Sequence, residues 1–160
     1  MEKYDLLEIL NFADKLVQIL ESQRSEINDV ITKYHSNDTL KWIGIGDHDV
    51  IGVYPSITIE IPGINIEPIG THYAMDVVPS GSIAIRIKEV LKEYMFRFQY
   101  ELAMRVLEIL IQPCYNRIEV GNGFIYNFNV FGKTTFGAEK AGAVRTSRIP
   151  FEAHIIRAGF

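Results

Sequence analysis

The chain is 160 residues long and 48% hydrophobic, enough apolar material for one compact body and too much for a disordered protein. Sixteen lysines and arginines against 20 acids leave a net charge of −4, which argues against a duplex-DNA binder that works by bulk positive charge. The single cysteine, Cys114, leaves no internal disulfide framework and no multi-cysteine zinc site, and no apolar run approaches the roughly 20 residues of a membrane span.

The opening MEKYDLLEIL carries acids where a secretory leader carries bases, so no leader is expected. Residues 3–34 read as a long helix, because Leu6, Leu7, Leu10, Ala13, Leu16, Val17 and Leu20 recur at three- and four-residue spacings. Inside it the pattern falters only at Glu21-Ser22-Gln23-Arg24-Ser25. There Ser25 is a candidate cap for a second piece carrying Ile27, Val30, Ile31 and Tyr34. His35 to Asp38 ends the helical pattern. Residues 39–54 are mixed, with short strands around a Gly46-Asp47-His48-Asp49 turn. Ser56 to Ile61 alternates polar and apolar, the period of a half-buried strand.

Residues 64–81 are rich in turn formers (Pro68, Gly70, Pro79, Gly81), with a short strand expected over Tyr73–Val78. Ser82 to Lys88 alternates again and runs into a second long helix over 91–112. Met95, Phe98, Leu102, Val106, Ile109 and Leu110 make its stripe, and Pro113 ends it. Phe124 to Phe131 is a strand rich in aromatic and branched residues, 132–148 a long loop, and Phe151–Arg157 the last strand. The layout is α+β: a mixed or antiparallel sheet with helices packed on one side, a long N-terminal helix and a long loop between the last two strands. Residues 1–160 are read as one domain, a helical N-terminal arm over 1–38 and an α/β body over 39–160.

Candidate chemistry is sparse. Asp47, His48 and Asp49, joined by His72, Asp76 or His154, hold the residue types of a divalent-metal site and define a small metal-dependent hydrolase as the alternative reading. Asp and His in a glycine turn also suit ordinary turn hydrogen bonding, so no metal is assigned. Cys114 follows Pro113 without a neighbouring base and reads as a packing cysteine. Gly44-x-Gly46 and Gly121-x-Gly123 do not continue into a phosphate-binding pattern. The aromatics of 124–131 read as core rather than as a base-stacking platform, because no basic stripe interleaves them. No enzyme motif is present and no cofactor is expected.

The charge is unevenly placed. Residues 1–38 carry eight acids and four bases, residues 39–91 six acids and three bases, and residues 92–160 six acids and nine bases. Such a split suits copies or partners meeting through oppositely charged faces. On the acidic side the interface candidates are Asp5, Glu8, Asp14 and Glu21. On the basic side they are Lys133, Lys140, Arg145 and Arg148 of the long loop, which is expected to order against a neighbouring subunit or to line an opening for a polyanion.

The order of elements resembles the tail-terminator and head–tail joining proteins of long-tailed bacteriophages. An N-terminal helix, Tyr54-Pro55-Ser56-Ile57-Thr58-Ile59 opening the sheet, the helix 91–112 and a strand–long loop–strand finish carry the likeness. The resemblance implies a small structural subunit of the virion, made in the host cytoplasm. It would form a ring, usually a hexamer, at the head-proximal end of the tail tube, stop tube polymerisation and dock to the neck. Its partners would be copies of itself, the tail tube protein, a neck or connector protein and passing DNA, with no membrane. A neck or head-completion adaptor shares the layout.

Overall fold

The two alternating segments around Ile57 and Ile85 form the centre of one sheet. The computed structural model describes residues 7–46, 53–69, 74–88, 92–111, 117–120, 124–130, 133–139 and 144–157. In chain order these hold helices α1 (Leu7–Ser22) and α2 (Arg24–Tyr34) and strands β1 (Trp42–Ile45), β2 (Ser56–Ile69) and β3 (Ala74–Lys88). Helix α3 (Lys92–Ile111) follows, then strands β4 (Arg117–Val120), β5 (Phe124–Val130), β6 (Thr135–Glu139) and β7 (Val144–Arg157). Among the described residues, seven strands make a mixed sheet in the order β1-β2-β3-β7-β5-β4, with β6 also paired to β7. β1 runs parallel to β2, and the other pairings are antiparallel. β5 lies along Phe151–Ile156 of β7 and β6 along Val144–Arg148.

Side-chain alternation makes the two faces of this sheet unlike. Ile57 and Ile59 of β2, Ile83 and Ile85 of β3, and Ile149 and Phe151 of β7 are buried in one cluster with helix residues. Those are Phe12, Leu16 and Leu20 of α1, Ile27 and Ile31 of α2, and Phe98, Leu102 and Val106 of α3. The register keeps the isoleucines in step, with Ile59 opposite Ile83 and Ile83 opposite Ile149. Each such side chain contributes roughly 1.5–3 kcal/mol by leaving water. α2 packs mainly on α3. Tyr34 stacks on Phe98 with ring centroids 5.3 Å apart, and its hydroxyl donates to Glu101 Oε1 at 2.6 Å. Lys33 Nζ donates to Glu101 Oε2 at 2.9 Å. Tyr34 first, and then Lys33, hold the Glu101 carboxyl below its usual range.

Three expectations are corrected. The long N-terminal helix is two helices, of 16 and 11 residues. Gln23 leaves helical geometry at the break, and Ser22 Oγ donates back to the Ile19 carbonyl at 2.7 Å. Arg24 then spans the break, reaching Glu21 at 2.7 Å and the Leu40 carbonyl at 2.6 Å.

Among its described residues, the turn-rich stretch 64–81 is strand, not turns: it lies in two long strands of 14 and 15 residues, β2 and β3, the second of which takes in the expected short strand from Ala74 on. The β2–β3 register slips between Glu60 and Gly63, and a Cβ on Gly81 would lie 1.8 Å from the Glu60 carbonyl oxygen. Pro62, Gly63 and Gly81 therefore mark a bulge. β1 pairs with β2 along Ser56–Ile59, so among the described residues the outer half of β2 is an edge, where Pro68 is tolerated.

The long loop 132–148 is largely sheet. Thr135–Glu139 pairs antiparallel with Val144–Arg148. Gly137 and Ala138 are strand residues here, because pairing with β7 supplies hydrogen bonds that local propensity does not forecast. β4 was likewise not expected from the sequence.

Candidate functional site

Because the expected loop is a strand pair, alternation along β7 separates its basic residues. Arg145 stands opposite Ile87, on the face the helices cover, while Arg148 stands opposite Ala84 on the other face. There Arg148 Nη1 is bound to Glu60 Oε2, and Arg86, only 3% exposed, donates Nη2 to Glu60 Oε1 at 2.9 Å and Nη1 to Thr58 Oγ1 at 2.8 Å. One carboxylate thus joins two guanidinium groups across β2, β3 and β7. Lys133 is exposed, and Lys140 lies outside the described residues. Among the described residues, Arg145 and Arg148 fall on opposite faces of β7, and Lys133 and Arg145 both line one cleft.

Of the acidic candidates, Asp14 and Glu21 lie seven residues apart on α1. Glu8 falls within α1. Asp14 and Glu21 are exposed, and the Arg24 hydrogen bond holds the Glu21 carboxyl below its usual range. Asp5, Asp47, His48, Asp49, His72 and Cys114 lie outside the described residues. Gly44 sits in β1 under the Trp42 indole, whose nearest atom would be 2.3 Å from an added Cβ. That is a packing role, not a phosphate loop at a helix start.

Asp76 and His154 do come together, with Glu152 as a third member. His154 Nδ1 meets Asp76 Oδ2 at 2.9 Å and Nε2 meets Glu152 Oε1 at 2.6 Å. The hydrogen bond to Asp76, then that to Glu152, raise the imidazole above its ordinary value of 6.5. With both ring nitrogens held by carboxylates, the side chain is suited to the doubly protonated form, which has no lone pair for a metal. Among the described residues, no group of three His, Cys, Asp or Glu is arranged to hold an ion.

The most distinctive surface lies elsewhere. A cleft of about 550 Å³ opens between α3 and the start of β6. Met95, Phe96 and Gln99 form its α3 wall; Lys133, Thr134 and Phe136 stand opposite. Phe96 is 64% exposed and Tyr100 47%. Their rings lie 6.1 Å apart, and Phe136 stands 6.0 Å from Phe96 and 6.1 Å from Tyr100. Buried Gln99 donates Nε2 to the Gly137 carbonyl at 3.2 Å and ties β6 to the helix. The sequence signal for this surface is that Phe96 and Tyr100, one turn apart, fall off the Met95-Phe98-Leu102 stripe. Aromatic residues on the non-core side of a helix need another reason to be there.

A second uncovered apolar site lies on the outer half of β2, where Ile64 and Ile66 are 46% and 51% exposed. Ile66 pairs with Val77 of β3, whereas Phe136 lies level with Ser147 and so with Ile85. The two sites therefore sit at opposite ends of β3, about 26 Å apart at roughly 3.3 Å per residue. Aromatic and aliphatic area with a lysine at the rim can bind a chain segment; it holds no nucleophile paired with a base. No protein-family model and no curated protein matches this chain.

Proposed function

We propose that this chain is a structural virion subunit that acts by assembly: a tail terminator of a long-tailed bacteriophage. It closes into a ring, a hexamer by the resemblance, at the head-proximal end of the tail tube. It stops tube polymerisation and docks to the neck. The observation that supports this reading is the pair of uncovered apolar sites at opposite ends of β3, Ile64 and Ile66 at one end and Phe96 and Tyr100 at the other. Large apolar side chains left in water mark interaction surfaces. Two unlike surfaces on one subunit suit a head-to-tail contact, which closes into a ring when the rotation per subunit allows it. A neck adaptor of the same layout would use the same pair of surfaces against a different tube-side partner.

The test is the mass of the purified protein, alone and mixed with tail tubes, by light scattering and electron microscopy. The expected result is a ring, or a monomer that forms a ring on a tube end. A strict monomer that binds neither tubes nor neck proteins overturns the reading.

A further inference from the structure

Resting on that ring reading, we infer which surface meets which: the open outer edge of β2 from one copy seats in the α3–β6 cleft of the next. The edge is available because the pairing of β1 ends at Ile45 opposite Ile59, so Ile64, Asn65, Ile66 and Glu67 lie on a strand with no outer neighbour among the described residues. All four are exposed.

An edge strand inserted into a cleft offers one of its faces to each wall. Ile64 and Ile66 point to one face, about 7 Å apart at two residues' rise, close to the 6.1 Å between the Phe96 and Tyr100 rings. Glu67 points to the other face and meets the wall that carries exposed Lys133. Apolar side chains thus meet the aromatic wall and an acid meets the basic one, so shape and charge select the same orientation. The contact joins opposite ends of two copies, as a head-to-tail interface requires.

The full-length chain provides the test, in a Cys114→Ser background. Ile66→Cys and Phe96→Cys chains, distinguished by isotope label and mixed under mild oxidation, are expected to form a mixed disulfide in preference to either like-with-like pair. Both positions are exposed, so neither substitution threatens folding. Separately, Glu67→Lys and Lys133→Glu are each expected to weaken self-association at least tenfold, and the double variant to restore it. If the unmodified chain forms rings but only like-with-like disulfides appear and charge reversal changes nothing, the inferred contact is overturned while the ring reading stands. If the unmodified chain neither self-associates nor assembles on tubes, both fall.

Discussion

Glu60 stands between two guanidinium groups, and its loss would leave Arg86 buried beside a missing partner. Breaking a buried ion pair from one side costs more than the pair contributes when intact. Glu60→Ala is therefore expected to destabilise the fold on the order of 3 kcal/mol, read as a lowered urea midpoint with an unchanged slope. His154 behaves differently. Asp76 and Glu152 raise its folded pKa above the ordinary value of 6.5, so its protonated form is favoured more in the folded chain than in the unfolded one. That stabilisation is fully present below pH 6.5 and is lost as pH rises through the folded pKa. Urea midpoints are expected to fall from pH 6.5 upward, and His154→Gln to flatten that part of the profile. An unchanged profile in the variant would show that the imidazole is not the group responsible.

At the scale of elements, the bulge between Glu60 and Gly63 joins the buried half of the β2–β3 hairpin to its exposed half. Gly81 makes the bulge possible, because the Glu60 carbonyl occupies the place of a side chain. Gly81→Ala must push β2 away from β3 and is expected to cost about 1–3 kcal/mol, the range for overpacking. Hydrogen exchange would locate the damage: faster exchange in Gly63–Ile69 and Val77–Ser80, with α3 still protected. Uniformly faster exchange would mean that the hairpin is not a separate unit of stability. The break between α1 and α2 is an element-scale feature of the same kind, since Arg24 ties the new helix to the Leu40 carbonyl.

For the whole molecule, the arrangement of faces matters more than any one residue. The helices cover one side of the sheet centre, a charged network occupies the other, and two of the apolar surfaces left exposed, Ile64 with Ile66 and Phe96 with Tyr100, lie toward the two ends of β3. Phe96→Ser and Ile66→Ser remove that surface without touching the core. Ile66→Ser is expected to change folding stability by no more than about 0.5 kcal/mol, and Phe96→Ser, which also gives up its ring contacts with Tyr100 and Phe136, by about 0.5–1.5 kcal/mol, while each reduces self-association. Comparing thermal melts with light scattering separates the two effects. A variant that unfolds as readily as it dissociates would place these residues in the fold rather than in an interface.

How much of this was legible in the sequence depends on the range of the forces involved. Period alone identified α3 and the sheet centre, because the stripe of Met95, Phe98 and Leu102 and the alternation of Ile83, Ile85 and Ile87 are local patterns imposed by burial on one side. The end of α2 was legible from His35 to Asp38 for the same reason. The outer half of β2 and the whole of β6 were not, and of the outer half of β3 only the strand expected over Tyr73–Val78 was, from Ala74 on. Their prolines, glycines and small residues favour turns locally, and only pairing with a distant strand overrides that preference. The candidate site followed the same division. The bases at 133, 145 and 148 could be counted in the sequence, but their grouping was decided by the β7 register, which turns Arg145 toward α3 and Arg148 toward Glu60. Phe96 and Tyr100 were visible as residues off the helical stripe, yet their meeting with Phe136 required β6 to exist. Composition and period determined the class of fold and its core, whereas strand pairing between residues far apart in the chain decided which side chains face each other across the cleft.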